Sequence, residues 1–171
     1  MEGSAKKAVV ALGAALFFVV APGMLLGVIP YLLTGWQAGR HPAGALAARI
    51  VGALLIAAGL ASVIESFARF VVKGRGTPAP VAPPDQLVVS GQYRVVRNPI
   101  YVALVAVVIG QALLLSRVIL ILYAMALWGF FHAWVLGIEE PDLRRRFGAS
   151  YEAYCSRVWR WLPTRPSGSD A

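Results

Sequence analysis

Two polar segments of this chain contain the residue types from which a binding site could be built. The first runs from Gly91 to Tyr101 and reads Gly-Gln-Tyr-Arg-Val-Val-Arg-Asn-Pro-Ile-Tyr. The second is the carboxylate pair Glu139-Glu140, which Pro141 follows. Each segment adjoins an apolar run, and polar groups are costly at the edge of a bilayer. Their position there indicates a site rather than ordinary packing.

The first segment has the features of a helix start that could bind an anionic group. Pro99 suits the first position of a helix, because its missing N–H costs nothing there. Asn98 then occupies the N-cap position, with Arg97 just outside the helix and Tyr101 in its first turn. The free N–H groups and the positive end of the helix dipole could receive a carboxylate. Gly91 would permit a tight turn or a close approach of the backbone to a ligand.

The second segment could bind a cation at the same end of the molecule. Only Ser116-Arg117 separates the two apolar runs between the segments, so these runs should form a tight antiparallel hairpin. Such a hairpin returns Glu139 and Glu140 to the end at which it began. His132 lies on the same predicted helix face as Glu139. Acidic groups there could receive an ammonium, a sulfonium or a ribose hydroxyl, so the two segments together suit a zwitterionic, amino-acid-like ligand.

The elements that must position these segments are four long apolar runs. The 171 residues are 58% hydrophobic and only 14% charged, and the runs cover residues 8–33, 45–72, 99–115 and 118–138. Each is long enough to cross about 30 Å of hydrocarbon at roughly 1.5 Å per residue. Continuous rather than alternating apolarity favours helices over a barrel. The predicted fold class is therefore all-α: an integral membrane protein of one domain, residues 1–171, with about four transmembrane helices.

The remaining segments are predicted to lie in the cytoplasm. Residues 73–98 are rich in Pro and Gly in their first half, which is typical of an extended connection. Residues 141–171 form a tail in which apolar and aromatic residues recur at helical spacing, as expected of an amphipathic helix on the membrane surface. The recurring residues are Leu143, Phe147, Tyr151 and Tyr154, and the predicted interfacial anchors that follow are Trp159 and Trp161.

The net charge of +8 could indicate a nucleic-acid partner, but its distribution argues against one. If both termini are cytoplasmic, only three of the 16 Lys and Arg residues lie on the external side of the membrane: Arg40, Arg49 and Arg117. The other 13 lie on the cytoplasmic side. This asymmetry is the positive-inside bias of a four-span protein. It predicts an integral membrane location, in a bacterial inner membrane, with no nucleic-acid partner. The single cysteine, Cys155, excludes an internal disulfide.

Residues 91–163 resemble the C-terminal module of the isoprenylcysteine carboxyl methyltransferase and phospholipid methyltransferase superfamily. Members carry a Gly-x-Tyr-Arg and Arg-His-Pro-x-Tyr segment, a helical hairpin, a Glu-Glu pair and a Phe-Gly-x-x-Tyr-x-x-Tyr tail. The corresponding pieces here are Gly91-Gln92-Tyr93-Arg94, Arg97-Asn98-Pro99-Ile100-Tyr101, Glu139-Glu140 and Phe147-Gly148-Ala149-Ser150-Tyr151-Glu152-Ala153-Tyr154. Their order and spacing together make the resemblance specific.

The resemblance implies an enzyme that binds S-adenosyl-L-methionine at the cytoplasmic end of the hairpin, with the tail helping to enclose it. The reaction would be methyl transfer to a lipophilic acceptor in the membrane, either an isoprenylcysteine-like carboxylate or a phospholipid amine. No metal is implied, and no catalytic residue is assigned. Asn98 stands where many members have His, and Asn cannot act as a base near neutral pH. The expected cofactor contacts are Tyr93, Arg97, Asn98, Pro99, Tyr101, His132, Glu139 and Glu140.

Other interpretations remain open from the sequence. A sterol-reductase-type membrane oxidoreductase that uses NADPH has a related C-terminal architecture, and a non-catalytic membrane scaffold would need no cofactor. The two carboxylates could instead form ion pairs with Arg144 or neighbouring arginines, and His132 could be a packing residue. Glu65 could either pair with Arg69 one turn later or line a substrate channel. The acceptor and the oligomeric state are not predicted.

Overall fold

The structure, a computed structural model, describes residues 20–40, 45–73, 87 and 89–164. These residues form helices and connecting turns, with no β-strand among them. The helices are α1 (Val20–Thr34), α2 (Ala45–Lys73), α3 (Pro99–Leu115), α4 (Val118–Phe147) and α5 (Ala149–Arg157). A short 3₁₀ turn, Gly91–Arg94, precedes α3. The all-α class predicted from the sequence is therefore confirmed for the described residues.

Helices α3 and α4 form the tight hairpin that the sequence predicts. Helix α3 begins at Pro99 and ends at Leu115, and Ser116 takes a left-handed conformation with φ 52°. The N–H of Arg117 bonds the carbonyl of Ala112 at 3.1 Å, so the chain reverses without a longer loop. The buried core lies between α2, α3 and α4, around Leu104, Val108 and Leu120.

Two glycines let α2 approach α3 closely. A Cβ atom added to Gly52 would lie 2.6 Å from the carbonyl oxygen of Gly110, and one added to Gly110 would lie 2.6 Å from that of Gly52. No side chain fits at either position, so the two backbones touch. Small residues at such crossings are typical of helix pairs in membranes.

Helix α1 is held to the hairpin through a π-helical turn at Met24–Val28. π-helical turns disturb the regular ladder of backbone hydrogen bonds. Two carbonyl groups of this turn accept hydrogen bonds from the hairpin: Leu26 from Nε2 of Gln111 at 2.7 Å, and Leu25 from the hydroxyl of Tyr123 at 3.0 Å.

Two helices are long and apolar enough to cross a membrane: Ala45–Ser66 within α2, and Val118–Phe147. Only 17% and 28% of the residues in their most apolar windows are buried, whereas the core helix of a soluble protein would be mostly buried. Together with their composition, this exposure indicates a membrane protein. The apolar helices Val20–Thr34 and Pro99–Leu115 are shorter, so four crossings remain a prediction. The start of the first predicted run and most of the connection 73–98 lie outside the described residues.

The fourth helix does not end before the carboxylates, although the sequence placed its end at Ile138. Helix α4 continues through Pro141 to Phe147, with a π-helical turn at Val135–Glu139 between its two α-helical parts. A proline normally breaks a helix, because its ring meets the carbonyl four residues earlier and its N–H is missing. The wider π-helical turn directly before Glu140 and Pro141 accommodates the ring. Gly148, with φ 48°, then separates α4 from α5.

After α5 the chain becomes extended and runs back across the start of α3. We call residues 158–164 the tail strap. The N–H of Arg97 bonds the carbonyl of Trp159 at 2.9 Å, and the N–H of Thr164 bonds the carbonyl of Val95 at 2.8 Å. The strap is thereby fixed to the polar segment that leads into α3.

Candidate active site

Glu140 is a buried carboxylate at the centre of a cluster of arginines. Its side chain is 2% exposed. Arg160 donates to both carboxylate oxygens, from Nε to Oε1 at 2.5 Å and from Nη2 to Oε2 at 2.9 Å. The nearest carboxylate oxygens lie 3.3 Å from Nη1 of Arg97 and 3.4 Å from Nη2 of Arg144. The hydrogen bond to Glu140 raises the pKa of Arg160 above its ordinary value, so this side chain stays cationic. The charge of Glu140 is thus compensated within the protein.

Glu139 has different surroundings, although it is the adjacent residue. The hydroxyl of Tyr101 donates to Oε2 of Glu139 at 2.9 Å, and the Tyr101 ring stacks on Phe131 at 4.5 Å between centroids. Burial, and secondarily the Glu139 carboxylate, raises the pKa of Tyr93 above its ordinary value, so Tyr93 stays neutral. Two neutral phenols and a half-buried carboxylate therefore lie together.

Arg97 lies beside the Glu140 cluster, and one N–H group of its guanidinium has no partner in the described part of the chain. Its side chain is 11% exposed, and Nη1 bonds Sγ of Cys155 at 2.7 Å. The Nε atom is buried and has no hydrogen-bond partner among the described residues. An orphaned buried donor is expensive, and such groups often mark the place of a ligand or an ordered water.

Asn98 lies at the N-cap position of α3, as the sequence predicts, but its side chain does not cap the helix. No side-chain cap bond forms at this helix start. The amide nitrogen of Asn98 donates instead to the carbonyl of Arg160 at 3.2 Å. An amide side chain caps a helix through its oxygen, whereas here its nitrogen is used to bind a strap carbonyl. Asn98 is 7% exposed, and Pro99 is buried beside it at the first helical position.

His132 lies in a third group of side chains, with two tryptophans. Nε1 of Trp161 donates to Nδ1 of His132 at 3.1 Å. Because an indole N–H can only donate, Nδ1 is the acceptor and the imidazole proton lies on Nε2. The imidazole also stacks on Trp128 at 5.3 Å between centroids. The predicted common face of His132 and Glu139 is interrupted by the π-helical turn that begins at Val135.

The tail strap contacts Glu140, Asn98 and His132, and sequence reasoning missed its role. Arg160 binds Glu140, its carbonyl accepts Asn98, and Trp161 binds His132. The sequence predicts only a positive-inside charge for Arg160 and an interfacial anchor for Trp161. Their partners lie 20 to 62 residues away along the chain, so spacing within the tail carries no signal of these contacts.

Helix α5 fixes the other side of the site. The hydroxyl of Tyr154 donates to the carbonyl of Tyr93 at 2.6 Å, and burial raises the pKa of Tyr154 above its ordinary value. Tyr151 is buried against Tyr154, with ring centroids 6.3 Å apart. The tail residues that the sequence grouped by helical spacing therefore support the segment that carries Tyr93.

A network at the end of α2 supports the same segment from the opposite direction. Arg69 pairs with Glu65 at 2.6 Å, which is the pairing predicted as one of the two alternatives for Glu65. Gln92 donates to Glu65 and accepts from Ser62. Gly91 has φ 63°, and a Cβ atom there would clash with Nε of Arg69. Only glycine permits this approach of the turn to α2.

Comparison with known proteins gives concordant matches. The family described as phospholipid methyltransferase matches residues 47–150, well over half of the chain. The protein-S-isoprenylcysteine O-methyltransferase of Schizosaccharomyces pombe is 28% identical over 138 residues, which cover 80% of this chain and 56% of that protein. A probable protein-S-isoprenylcysteine O-methyltransferase of Oryza sativa subsp. indica is 33% identical over 79 residues, 46% of this chain and 41% of that protein. The chain spans about half the length of these curated relatives, whose names lend no support to the reductase or scaffold alternatives.

Proposed function

The chain belongs to the phospholipid methyltransferase family, as its motifs predicted, and from this premise we propose that it transfers a methyl group from S-adenosyl-L-methionine to a lipophilic acceptor in the membrane. The matched residues include the polar segment that leads into α3 and both carboxylates of α4. The observation that carries the proposal is that these two carboxylates have different partners. Glu140 is paired with three arginines, whereas Glu139 accepts a hydrogen bond from the neutral hydroxyl of Tyr101.

The donor and acceptor groups at this end of the hairpin fit the proposed cofactor. Glu139 can receive an ammonium, a sulfonium or a ribose hydroxyl, and the buried Nε of Arg97 can donate to a carboxylate. The bound cofactor would supply an electrophilic methyl group. We propose Tyr93, Asn98, Pro99, Tyr101 and His132 as the other contacts of the cofactor, and Glu140 holds Arg97 and Arg160 in place. The protein would contribute mainly by holding the acceptor close to the cofactor and by excluding water from the site.

Among the acceptors, we propose an isoprenylcysteine-like carboxylate first and a phospholipid amine second. A carboxylate is already a nucleophile at neutral pH and needs no general base, whereas an ammonium must first lose a proton. The imidazole Nδ1 of His132 is occupied by Trp161, and Asn98 cannot serve as a base. Methyl transfer to oxygen is also what the names of the two relatives state.

The proposed setting is a bacterial inner membrane crossed four times, with both termini and the tail in the cytoplasm. The apolar runs 8–33, 45–72, 99–115 and 118–138 would form the crossings. The 13-to-3 distribution of basic residues derived above supports this orientation. The acceptor's apolar chain would enter sideways from the bilayer between the helices.

Calorimetric titration of the detergent-solubilised protein with S-adenosylhomocysteine and with NADPH tests the cofactor. We expect binding of S-adenosylhomocysteine alone. The acceptor is then tested in nanodiscs with isotopically labelled S-adenosyl-L-methionine and either farnesylcysteine or phosphatidylethanolamine, with label incorporation followed by mass spectrometry. Label in the farnesylcysteine methyl ester supports the first acceptor, and label in the amine supports the second. Binding of NADPH, or of neither ligand, would refute the proposal.

A further inference from the structure

The tail strap combines buried polar contacts with two exposed apolar side chains. Arg160 and Trp161 point into the site, as described above. Their neighbours Trp159 and Leu162 are 58% and 61% exposed. A large indole and a leucine displayed side by side on a seven-residue strap are out of place in water, although each alone would be unremarkable.

The depth of the strap follows from the length of α3. That helix has 17 residues, or about 25 Å, which is less than the roughly 30 Å of a bilayer's hydrocarbon. If α3 crosses the membrane and its last residue reaches the far boundary, its first residue therefore lies inside the hydrocarbon. The strap is bonded to the two residues before it, because Arg97 binds the carbonyl of Trp159 and Asn98 binds that of Arg160. Trp161 reaches deeper still, since it bonds His132, six residues or about 9 Å of helix before Ile138.

Part of the strap backbone has its polar groups bonded within the protein. Irregular backbone is tolerated near hydrocarbon only where its polar groups are satisfied by the protein. The carbonyls of Trp159 and Arg160 are both bonded, and the N–H of Thr164 bonds Val95. The Arg160 charge is compensated by Glu140, as a charge near hydrocarbon requires.

We propose that the tail strap is a short re-entrant segment, in which Trp159 and Leu162 insert into the acyl-chain boundary of the bilayer. The partner is bilayer lipid, because α4 also exposes apolar side chains, Trp128, Leu136 and Ile138, and the strap packs on this helix where Trp161 contacts Trp128. The inference rests on the proposed function through its topology, in which α3 crosses the membrane. Lipid contact on one side of the strap then holds Arg160 and Trp161 in the site on the other.

Spin labels at three positions of the full-length protein in phosphatidylcholine nanodiscs test this placement. Cys155 is replaced by Ala, and single cysteines replace Leu162, Leu54 and Arg145. Leu54 is 64% exposed in the middle of α2, and Arg145 is 76% exposed at the end of α4. Collision rates with oxygen, which partitions into lipid, are compared with those of a water-soluble nickel chelate. We expect the oxygen-to-nickel ratio at Leu162 to exceed that at Arg145 severalfold and to approach that at Leu54.

A second measurement does not require the replacement of Cys155. In nanodiscs made with brominated acyl chains, the fluorescence difference between the parent and Trp159→Phe should be largely quenched relative to unbrominated lipid. A Leu162 ratio equal to that of Arg145, together with an unquenched difference, would overturn the re-entrant strap. If the label at Leu54 is also accessible to nickel, the proposed topology fails as well. Binding of S-adenosylhomocysteine, measured on the same samples, reports separately on the cofactor proposal.

Discussion

Replacing each of the two adjacent carboxylates by its amide should have opposite consequences. Removing one partner of a buried ion pair typically costs about 3–5 kcal/mol, because the remaining charge is left uncompensated. Glu140→Gln keeps one acceptor oxygen for Arg160, and the half-exposed Arg144 can turn to water. We therefore expect the free energy of unfolding to fall by about 2–3 kcal/mol. For a chain of this length, each kcal/mol corresponds to roughly 2–4 °C in Tm.

The matched variant, Glu139→Gln, should leave stability nearly unchanged. Its amide oxygen can still accept the hydrogen bond of Tyr101. Loss of the negative charge should instead weaken binding of S-adenosylhomocysteine by about 1.5–3 kcal/mol, or roughly tenfold to a hundredfold. Thermal unfolding in detergent and calorimetric titration, both applied to both variants, measure the two effects. Parent-like stability in Glu140→Gln, or parent-like affinity in Glu139→Gln, would refute the division of roles.

Three further predictions concern the surroundings of this pair. Tyr101→Phe keeps the stacked ring but frees Glu139, so S-adenosylhomocysteine should bind about fivefold to tenfold more weakly in titrations, the loss of roughly one hydrogen bond. Gly91→Ala should lower the free energy of unfolding by at least about 1–2 kcal/mol, because its left-handed φ disfavours a side chain and the new Cβ would meet Arg69. The raised pKa of Tyr154 means that the folded state keeps a proton that the unfolded state releases above about pH 10, so the contribution of Tyr154 to stability should be constant below that pH and fall above it.

Each of these predictions has a matched control. Tyr123→Phe removes a hydroxyl bonded to the carbonyl of Leu25 and should leave cofactor binding unchanged. Adding Arg69→Ala to Gly91→Ala should recover the part of the lost stability that is due to the clash, and no recovery would contradict the close approach. Tyr154→Phe should show a shallower alkaline loss of stability in denaturant titrations, and an unchanged loss would assign it to other groups.

The parts of the fold that depend on residues adjacent in the sequence were predictable from it. Pro99 marks the start of α3, and Ser116-Arg117 leaves room only for a tight reversal, so the hairpin and the meeting of its ends follow from local chemistry. The strap could not be predicted in the same way, because Arg160 and Trp161 find their partners through tertiary contacts with no periodic signal. Asn98 illustrates the difference. Its position before Pro99 correctly indicated the helix boundary, but the competing carbonyl of Arg160 decided where its amide points.

The π-helical turn at Val135–Glu139 amounts to one inserted residue in the frame of α4. Successive residues of an α-helix are about 100° apart, so the insertion decides which carboxylate faces Tyr101 and which faces the arginines. Deleting Gly137 would remove the inserted residue and restore a regular helix, so Glu139 and Glu140 would keep their present places. A turn straightened with all five residues kept would instead rotate every later residue by about 100°. The pairing of each carboxylate thus depends on the extra residue of this turn and not on the chemistry of either side chain.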